Sequence, residues 1–329
     1  MQSDFTVIVP VYNVADYLEQ CVQSIQDAVV QQDEIILVCG DSVDGSNKCA
    51  VRLQEKYSNV KVIWQTGTGA SNARNCGLRH ANGEYILFVD GDDFVDANVL
   101  SQLLEQIRSG QHKFDMLFTD FYRYKQKIEQ TVCIRQFGKE YICGAEKIIG
   151  KMTGRECFWN IWRCIYRREF LIQNKIEFWE NAYAEDLDFT IRAFLKKPLA
   201  CFVPIAYYHY RLGRTGSLMN CTPSKRVMST LTVIAYDINI LKASNEIWKQ
   251  KLIDVLQYEY ILDIALIHEL PQEQKKQALG IIKPEVLRPT CDGLVRVMSI
   301  MLRLFGVRMM AAVLSQIKRL KRWKEGRTL

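Results

Sequence analysis

Histidine is scarce in this chain, and cysteine, though present, is never closely paired. Of 329 residues only four are His, and no two of the eleven Cys stand at C-x-x-C spacing, which argues against a structural zinc site. The Cys count is odd, and the opening "MQSDFTVIVPVYN" has no basic segment and an early Pro in its apolar run. That is not the pattern of a signal peptide, so reduced, mostly buried thiols in a cytoplasmic protein are expected. Charge-free apolar runs are also too short for the ~18–20 residues of a spanning helix; "PLACFVPIAYY" is among the nearest candidates. Net positive charge is concentrated at one end. From Asp292 onward Arg296, Arg303, Arg308, Lys318, Arg319, Lys321, Arg322, Lys324 and Arg327 face only Asp292 and Glu325, a net +7 within a whole-chain charge of +6. A nucleic-acid binder spreads its charge over a groove-facing surface with interleaved aromatics, so nucleic acid is not an expected partner.

What is present is an alternation. "FTVIVP", "EIILV", "VKVIW" and "EYILFV" read as strands, and between them "ADYLEQCVQSIQDAVV", "DGSNKCAVRLQEKY" and "GASNARNCGLRHA" read as helices. Strand–helix alternation with nearly all-apolar strands predicts an α/β fold with a mainly parallel sheet covered on both faces. Ligands of such sheets bind beyond the carboxyl ends of the strands, and polar residues collect there. Pro10, Tyr12 and Asn13 follow the first strand, Asp41 and Asp44 the second, and Asp90, Asp92 and Asp93 the fourth. Beyond about residue 222 the pattern is predominantly helical, which divides the chain into 1–220 and a helical region 221–329.

Each motif has a functional and a plainer reading. "VDGDDF" (Val89–Phe94) crowds three carboxylates after a buried strand; they repel one another unless a cation or hydrogen-bond donors intervene. Oxygen ligands at a strand end suit Mg²⁺ or Mn²⁺, although an acidic loop ahead of the helix near Asp96 has the same composition. "TGTGASNARNCG" offers a Gly-rich turn into a helix N-terminus, with Arg74 available to a phosphate or a carboxylate. As a dinucleotide fingerprint it is weak, because its sixth position is Asn72 and it follows the third strand rather than the first. This counts against a nucleotide-cofactor oxidoreductase. "YAEDLDF" sets Glu185 and Asp186 at a helix start, either as a held, ionised base or as an acidic first turn. "CFWNIWRCIYRREFL", with Trp162, suits a sugar-stacking wall or a core segment. "YYHYRLGRTGSL" carries His209, Arg211 and Arg214 in an expected loop, where basic groups would meet a diphosphate.

Taken in order, "TVIVPVYNVADYLEQCVQSI", "EIILVCGDSVDGS", "GASNARNCGLRHANGEYILFVDGDDF", "WRCIYRREFL", "YAEDLDF" and "YRLGRTGSL" resemble the family 2 glycosyltransferases of GT-A fold, over roughly residues 5–217. The resemblance implies inverting transfer of a sugar from a nucleotide-diphosphate donor to a hydroxyl of a glycan or lipid-linked glycan. It implies that Asp92, with Asp90, holds a divalent metal on the donor and that Asp186 is the general base. Pro10, Tyr12, Asn13, Asp41, Asp44 and Arg74 would seat the donor, and Glu185, Trp162 and Arg214 are acceptor or loop candidates. One departure stands out. Cys39 and Gly40 occupy the positions where the family usually has two Asp, which puts the nucleotide's identity in question and leaves a non-catalytic binding subunit as the alternative. The tail (about 294–325) sets Leu294, Met298, Met301, Phe305, Met309 and Val313 on one expected face, with Arg296 and Arg303 opposite. That suits an anionic membrane surface at the inner face of the cytoplasmic membrane, or packing against protein.

Overall fold

The computed structural model of the protein describes residues 3–125, 130–134, 138, 140–152, 159–213, 223–287 and 293–325. It falls into two compact units. The first comprises Met1–Lys151, Phe158–Asn181 and Glu185–Ser217, and the second Met152–Cys157, Ala182–Ala184 and Leu218–Leu329.

The first unit opens with β1 (Phe5–Val11), α1 (Ala15–Gln26), β2 (Glu34–Cys39), α2 (Ser46–Lys56), β3 (Val60–Trp64), α3 (Gly69–His80) and β4 (Tyr85–Phe88). The short β5 (Phe94–Val95) and α4 (Ala97–Arg108) come next, then β6 (Met116–Lys125), β7 (Gln130–Ile134), β8 (Ile142–Cys143) and α5 (Ala145–Lys151). It ends with β9 (Cys164–Arg167), α6 (Arg168–Gln173), α7 (Glu185–Leu195) and β10 (Ala200–Leu212). The sheet runs β3-β2-β1-β4-β9-β6-β10-β5, with β7 on β6 and β8 on β10. Its β3-β2-β1-β4 half is parallel, as the alternation predicts. The other half is mixed: β9 enters antiparallel between β4 and β6, while β10 runs parallel to β6.

Alternate residues along the strands face opposite layers. Val7, Val9, Ile35, Leu37 and Leu87 share one core with Leu18, Val22 and Ile25 of α1, Leu53 of α2 and Leu103 of α4. On the other side Phe88 packs edge-on against Phe178 and Phe189. A fully buried aliphatic or aromatic side chain contributes about 1.5–3 kcal/mol relative to exposure. The strand centres therefore stabilise the unit, and the rim at their carboxyl ends can carry charge. Two features differ from expectation. Asp96, not the acids before it, caps α4 by accepting the Val99 N–H at 3.1 Å, and Arg211 lies on β10 rather than in a loop.

The second unit is helical: α8 (Pro223–Ala243), α9 (Lys249–Leu266), α10 (Gln272–Ile281) and α11 (Gly293–Glu325). Among the described residues no helix is long and apolar enough to cross a membrane. The tail corrects the expected stripe. Gly306 takes φ 74° and ψ 171°, a break that shifts the helical phase. Val295, Met298, Leu302, Met310, Ala311 and Leu314 are buried, whereas Phe305 and Met309 turn outward with Val297, Ile300 and Leu304. A helical wheel drawn through an unbroken helix cannot foresee that shift.

Candidate active site

Two acid-bearing regions stand at the carboxyl rim of the parallel strands. The first joins the loops after β1 and β2. Asn13 sits at φ 51°, a left-handed conformation that Asn tolerates; its N–H donates to Ser42 Oγ at 3.2 Å and its Oδ1 accepts the Val43 N–H at 3.0 Å. Asp44 accepts the N–H groups of Ala15 at 2.9 Å and Ser46 at 3.0 Å, and also the Ser46 hydroxyl. Its carboxylate thus satisfies backbone donors at the starts of both α1 and α2, which the helices themselves leave unpaired. Desolvation works against its charge, but the hydrogen bonds from Ser46 and Ala15 prevail and hold its pKa below the usual carboxylate value. Asp41 and Tyr12 are exposed, and Pro10 is partly so.

The Cys39-Gly40 departure has a visible consequence. Cys39 is buried at the end of β2, and burial pushes its thiol up to about 12, so it is a neutral core group. A Cβ on Gly40 would come within 2.7 Å of Gln65 Nε2, so the Gln65 carboxamide fills the space where a side chain at position 40 would project.

The second region gathers around Arg74, buried on α3. Its Nη2 donates to Asp90 Oδ1 at 2.9 Å, and its Nη1 to Glu185 Oε1 at 2.9 Å and Asp186 Oδ1 at 3.4 Å. One guanidinium therefore joins the acid loop after β4 to the first turn of α7. The neighbouring Asn75 fixes the approach to that turn: its Oδ1 accepts the Phe178 N–H at 2.7 Å, and its Nδ2 donates to Phe178 O at 2.9 Å. No sequence motif marks Asn75; its place beside Arg74 on α3 is the signal the sequence carries. Gly91 admits close packing of the acid loop, since a Cβ there would lie 2.9 Å from Pro10 O.

Charge in this region is unbalanced. A single buried cation faces three carboxylates, and Asp186 bears the consequence. Burial raises its pKa, Arg74 lowers it, and Glu185 and Asp90 raise it again, to about 8. Burial alone would lower the Arg74 pKa, but Asp186, Asp90 and Glu185 outweigh it and raise it.

Other expected site residues lie elsewhere or outside the description. Trp162 is core, 4% exposed and stacked on Tyr208 and Tyr210, so it offers no open sugar-stacking face. His209 is sandwiched between Phe94 and Tyr122. Arg214 lies outside the described residues.

The fold defines the class. Over 97% of this chain and 92% of the other, it superposes with a TM-score of 0.73 and 22% identity on residues 1–349 of S. aureus TarS, solved with UDP-GlcNAc; this is the GT-A glycosyltransferase fold. Residues 6–173 match Glycosyl transferase family 2, and the chain belongs to that family. The chain is 31% identical over 209 residues to the uncharacterized glycosyltransferase EpsJ of Bacillus subtilis, covering 63% of this chain and 60% of EpsJ. It is also 27% identical over 276 residues to a cholesterol galactosyltransferase of Borreliella burgdorferi, covering 80% and 75% of the two chains.

Proposed function

We propose that this protein is an inverting glycosyltransferase that moves a sugar from a nucleoside-diphosphate donor to a hydroxyl of a surface glycan or lipid-linked glycan. The observation that carries the reading is the Arg74 cluster. Side chains 111 and 112 residues from Arg74 are brought to the guanidinium that also holds Asp90. Asp186 is the general base. A carboxylate held at about 8 is far more basic than an ordinary aspartate, yet still partly ionised at neutral pH. It removes the acceptor hydroxyl's proton while that oxygen attacks the anomeric carbon from the face opposite the departing diphosphate, and the configuration inverts. Tyr12, Asn13 and Asp41 line the rim where the nucleotide is expected. Asp44 serves it by holding that rim's backbone.

The residues fit a divalent cation completed by its substrate. Among the described residues no group of three His, Cys, Asp or Glu is assembled to cage a metal, and Mg²⁺ or Mn²⁺ is commonly held by one or two carboxylates with water and phosphate oxygens. Asp92, with Asp90, would hold the ion, in a region where Arg74 leaves negative charge in excess. When bound, it supplies neutralisation of the charge that grows on the diphosphate.

The expected place of work is the cytoplasmic membrane's inner face, reached by the second unit. Arg296 and Arg308 are exposed beside outward-facing Val297, Ile300, Leu304, Phe305 and Met309, and near an anionic surface each basic residue contributes about 1 kcal/mol. The acceptor named for the Borreliella relative is itself a lipid.

The test is thermal stabilisation by UDP-, GDP-, CMP- and dTDP-sugars with and without Mn²⁺, wild type beside Asp92→Ala. A metal-dependent shift with one donor, lost in the variant, supports the reading. No shift with any donor overturns it in favour of a non-catalytic family member.

A further inference from the structure

Apart from Arg74, a second set of side chains holds the backbone of the acid loop. Asp93 is 1% exposed. Its Oδ2 accepts the Tyr208 hydroxyl at 2.7 Å and its Oδ1 the Arg211 backbone N–H at 2.8 Å. The Tyr208 oxygen in turn accepts the Asp90 N–H at 3.1 Å. Arg211 Nε donates to the Asp92 carbonyl at 2.7 Å, and its Nη2 to Gln20 Oε1 at 2.8 Å. The Arg211 guanidinium is itself fixed, lying over the rings of Tyr17, Phe94 and Tyr124 at 4.9–5.2 Å. The peptide groups on both sides of the Asp90–Asp92 turn are thus held from one strand, β10.

Strand β10 is shaped for this contact. Its pairing with β6 slips between Val203 and Ala206 and again between Ala206 and Tyr208. Irregularities of this kind re-aim side chains near functional sites. Tyr208 then stacks on Trp162 at 4.3 Å and 14°, which fixes the ring that carries the hydroxyl. A turn could be closed by its own backbone bond, and Asp93 N–H to Asp90 O at 2.9 Å already does so. Burying a carboxylate and a guanidinium as well costs several kcal/mol in desolvation, more than a simple turn requires.

We propose that Asp93, Tyr208 and Arg211 are positioning residues that set the Asp90–Asp92 backbone, and with it both carboxylates, for the donor diphosphate and its cation. This rests on the transferase reading above. The clamp acts through backbone placement and touches no reacting atom, and a displacement of about 1 Å at such a site costs on the order of a hundredfold in rate.

The test compares Tyr208→Phe, which keeps the stacked ring and removes only the hydroxyl, with Tyr207→Phe, one residue along the same strand. The full chain is followed by hydrogen exchange across residues 88–95, by thermal unfolding, and by calorimetric titration with UDP, GDP, CDP and dTDP in the presence of Mn²⁺. The expected result for Tyr208→Phe is faster exchange at the Asp90 amide with little change in global unfolding. Affinity for the preferred diphosphate should fall about tenfold, and half-saturation should require more Mn²⁺. Tyr207→Phe should change neither. Asp93→Asn, which keeps the size but leaves one acceptor where Asp93 offers two, should repeat the Tyr208→Phe pattern. Unchanged exchange in Tyr208→Phe, or faster exchange with undiminished diphosphate and Mn²⁺ binding, overturns the proposal alone. Wild-type protein that binds none of the four diphosphates overturns the donor reading, and the proposal with it.

Discussion

The two acidic regions at the rim use the same residue types and stand on neighbouring parallel strands, yet they are electrostatic opposites. Asp44 is surrounded by donors: two backbone N–H groups and a hydroxyl stabilise its charge. Asp186 shares one arginine with two other carboxylates and is held protonated to unusually high pH. A saturated carboxylate is a structural crosslink between helix starts. An under-compensated one is poised to accept a proton or to attract a cation.

That contrast can be broken most directly at Asp186. Asp186→Asn keeps the shape and removes the base, and should lower transfer roughly 100- to 10,000-fold with thermal stability equal to or above wild type, since like-charge crowding is relieved. Full activity in this variant would leave Asp186 without a catalytic role. Arg74→Met should act in the opposite sense on stability, costing about 1–3 kcal/mol as three partly exposed carboxylates lose their shared partner; denaturant unfolding measures it, and unchanged stability would deny Arg74 its role as the cluster's centre.

Titration sharpens the comparison. A base active only when ionised should give a rate that rises about tenfold per pH unit below about 8 and levels above it. The stability effects of the two acids run in opposite directions. The raised pKa of Asp186 means that the folded state binds its proton more tightly, so its contribution is present at low pH and lost as pH rises through about 8. Asp44 has a lowered pKa, so its contribution is present above the ordinary carboxylate range and lost as pH falls through the depressed value. Unfolding of Asp186→Asn and Asp44→Asn across pH separates the two.

A smaller effect is expected at Asp44 itself. Asp44→Ala should cost about 1 kcal/mol, as loss of a helix cap does, with nucleotide affinity reduced only to the extent that the rim loosens. Abolished binding at unchanged stability would move Asp44 into direct donor contact. The smallest effect belongs to the tail. Leu304→Asp with Phe305→Asp should release the chain from anionic liposomes without altering unfolding of the first unit, and undiminished co-sedimentation would remove the membrane surface as a partner.

Much of this was legible in the linear chain because its cause is local. Nearly continuous apolar strands and short strand–helix repeats dictate a parallel sheet in β1–β4, and the chain's direction then puts Asp44, Asp90 and Asp92 at one rim. The order of motifs identified the family. What tertiary structure alone decided is which partner each acid meets. Asp44 meets helix starts because the loops after β1 and β2 cross. Asp186 meets Arg74 across 112 residues because α3 and the start of α7 converge at the rim, and Asp93 meets Tyr208 across 115 because β10 returns beside β5. Composition placed Trp162 equally well in a core or a wall, and only the packed rings of Tyr208 and Tyr210 place it in the core. The tail's stripe differs partly for a related reason: Gly306 leaves helical geometry, and just beyond it Met310, Ala311 and Leu314 are buried while Met309 is exposed. Local patterns record whether a side chain is buried. Whether its charge is compensated depends on residues more than a hundred positions away, and that balance separates the catalytic candidate from the structural acid.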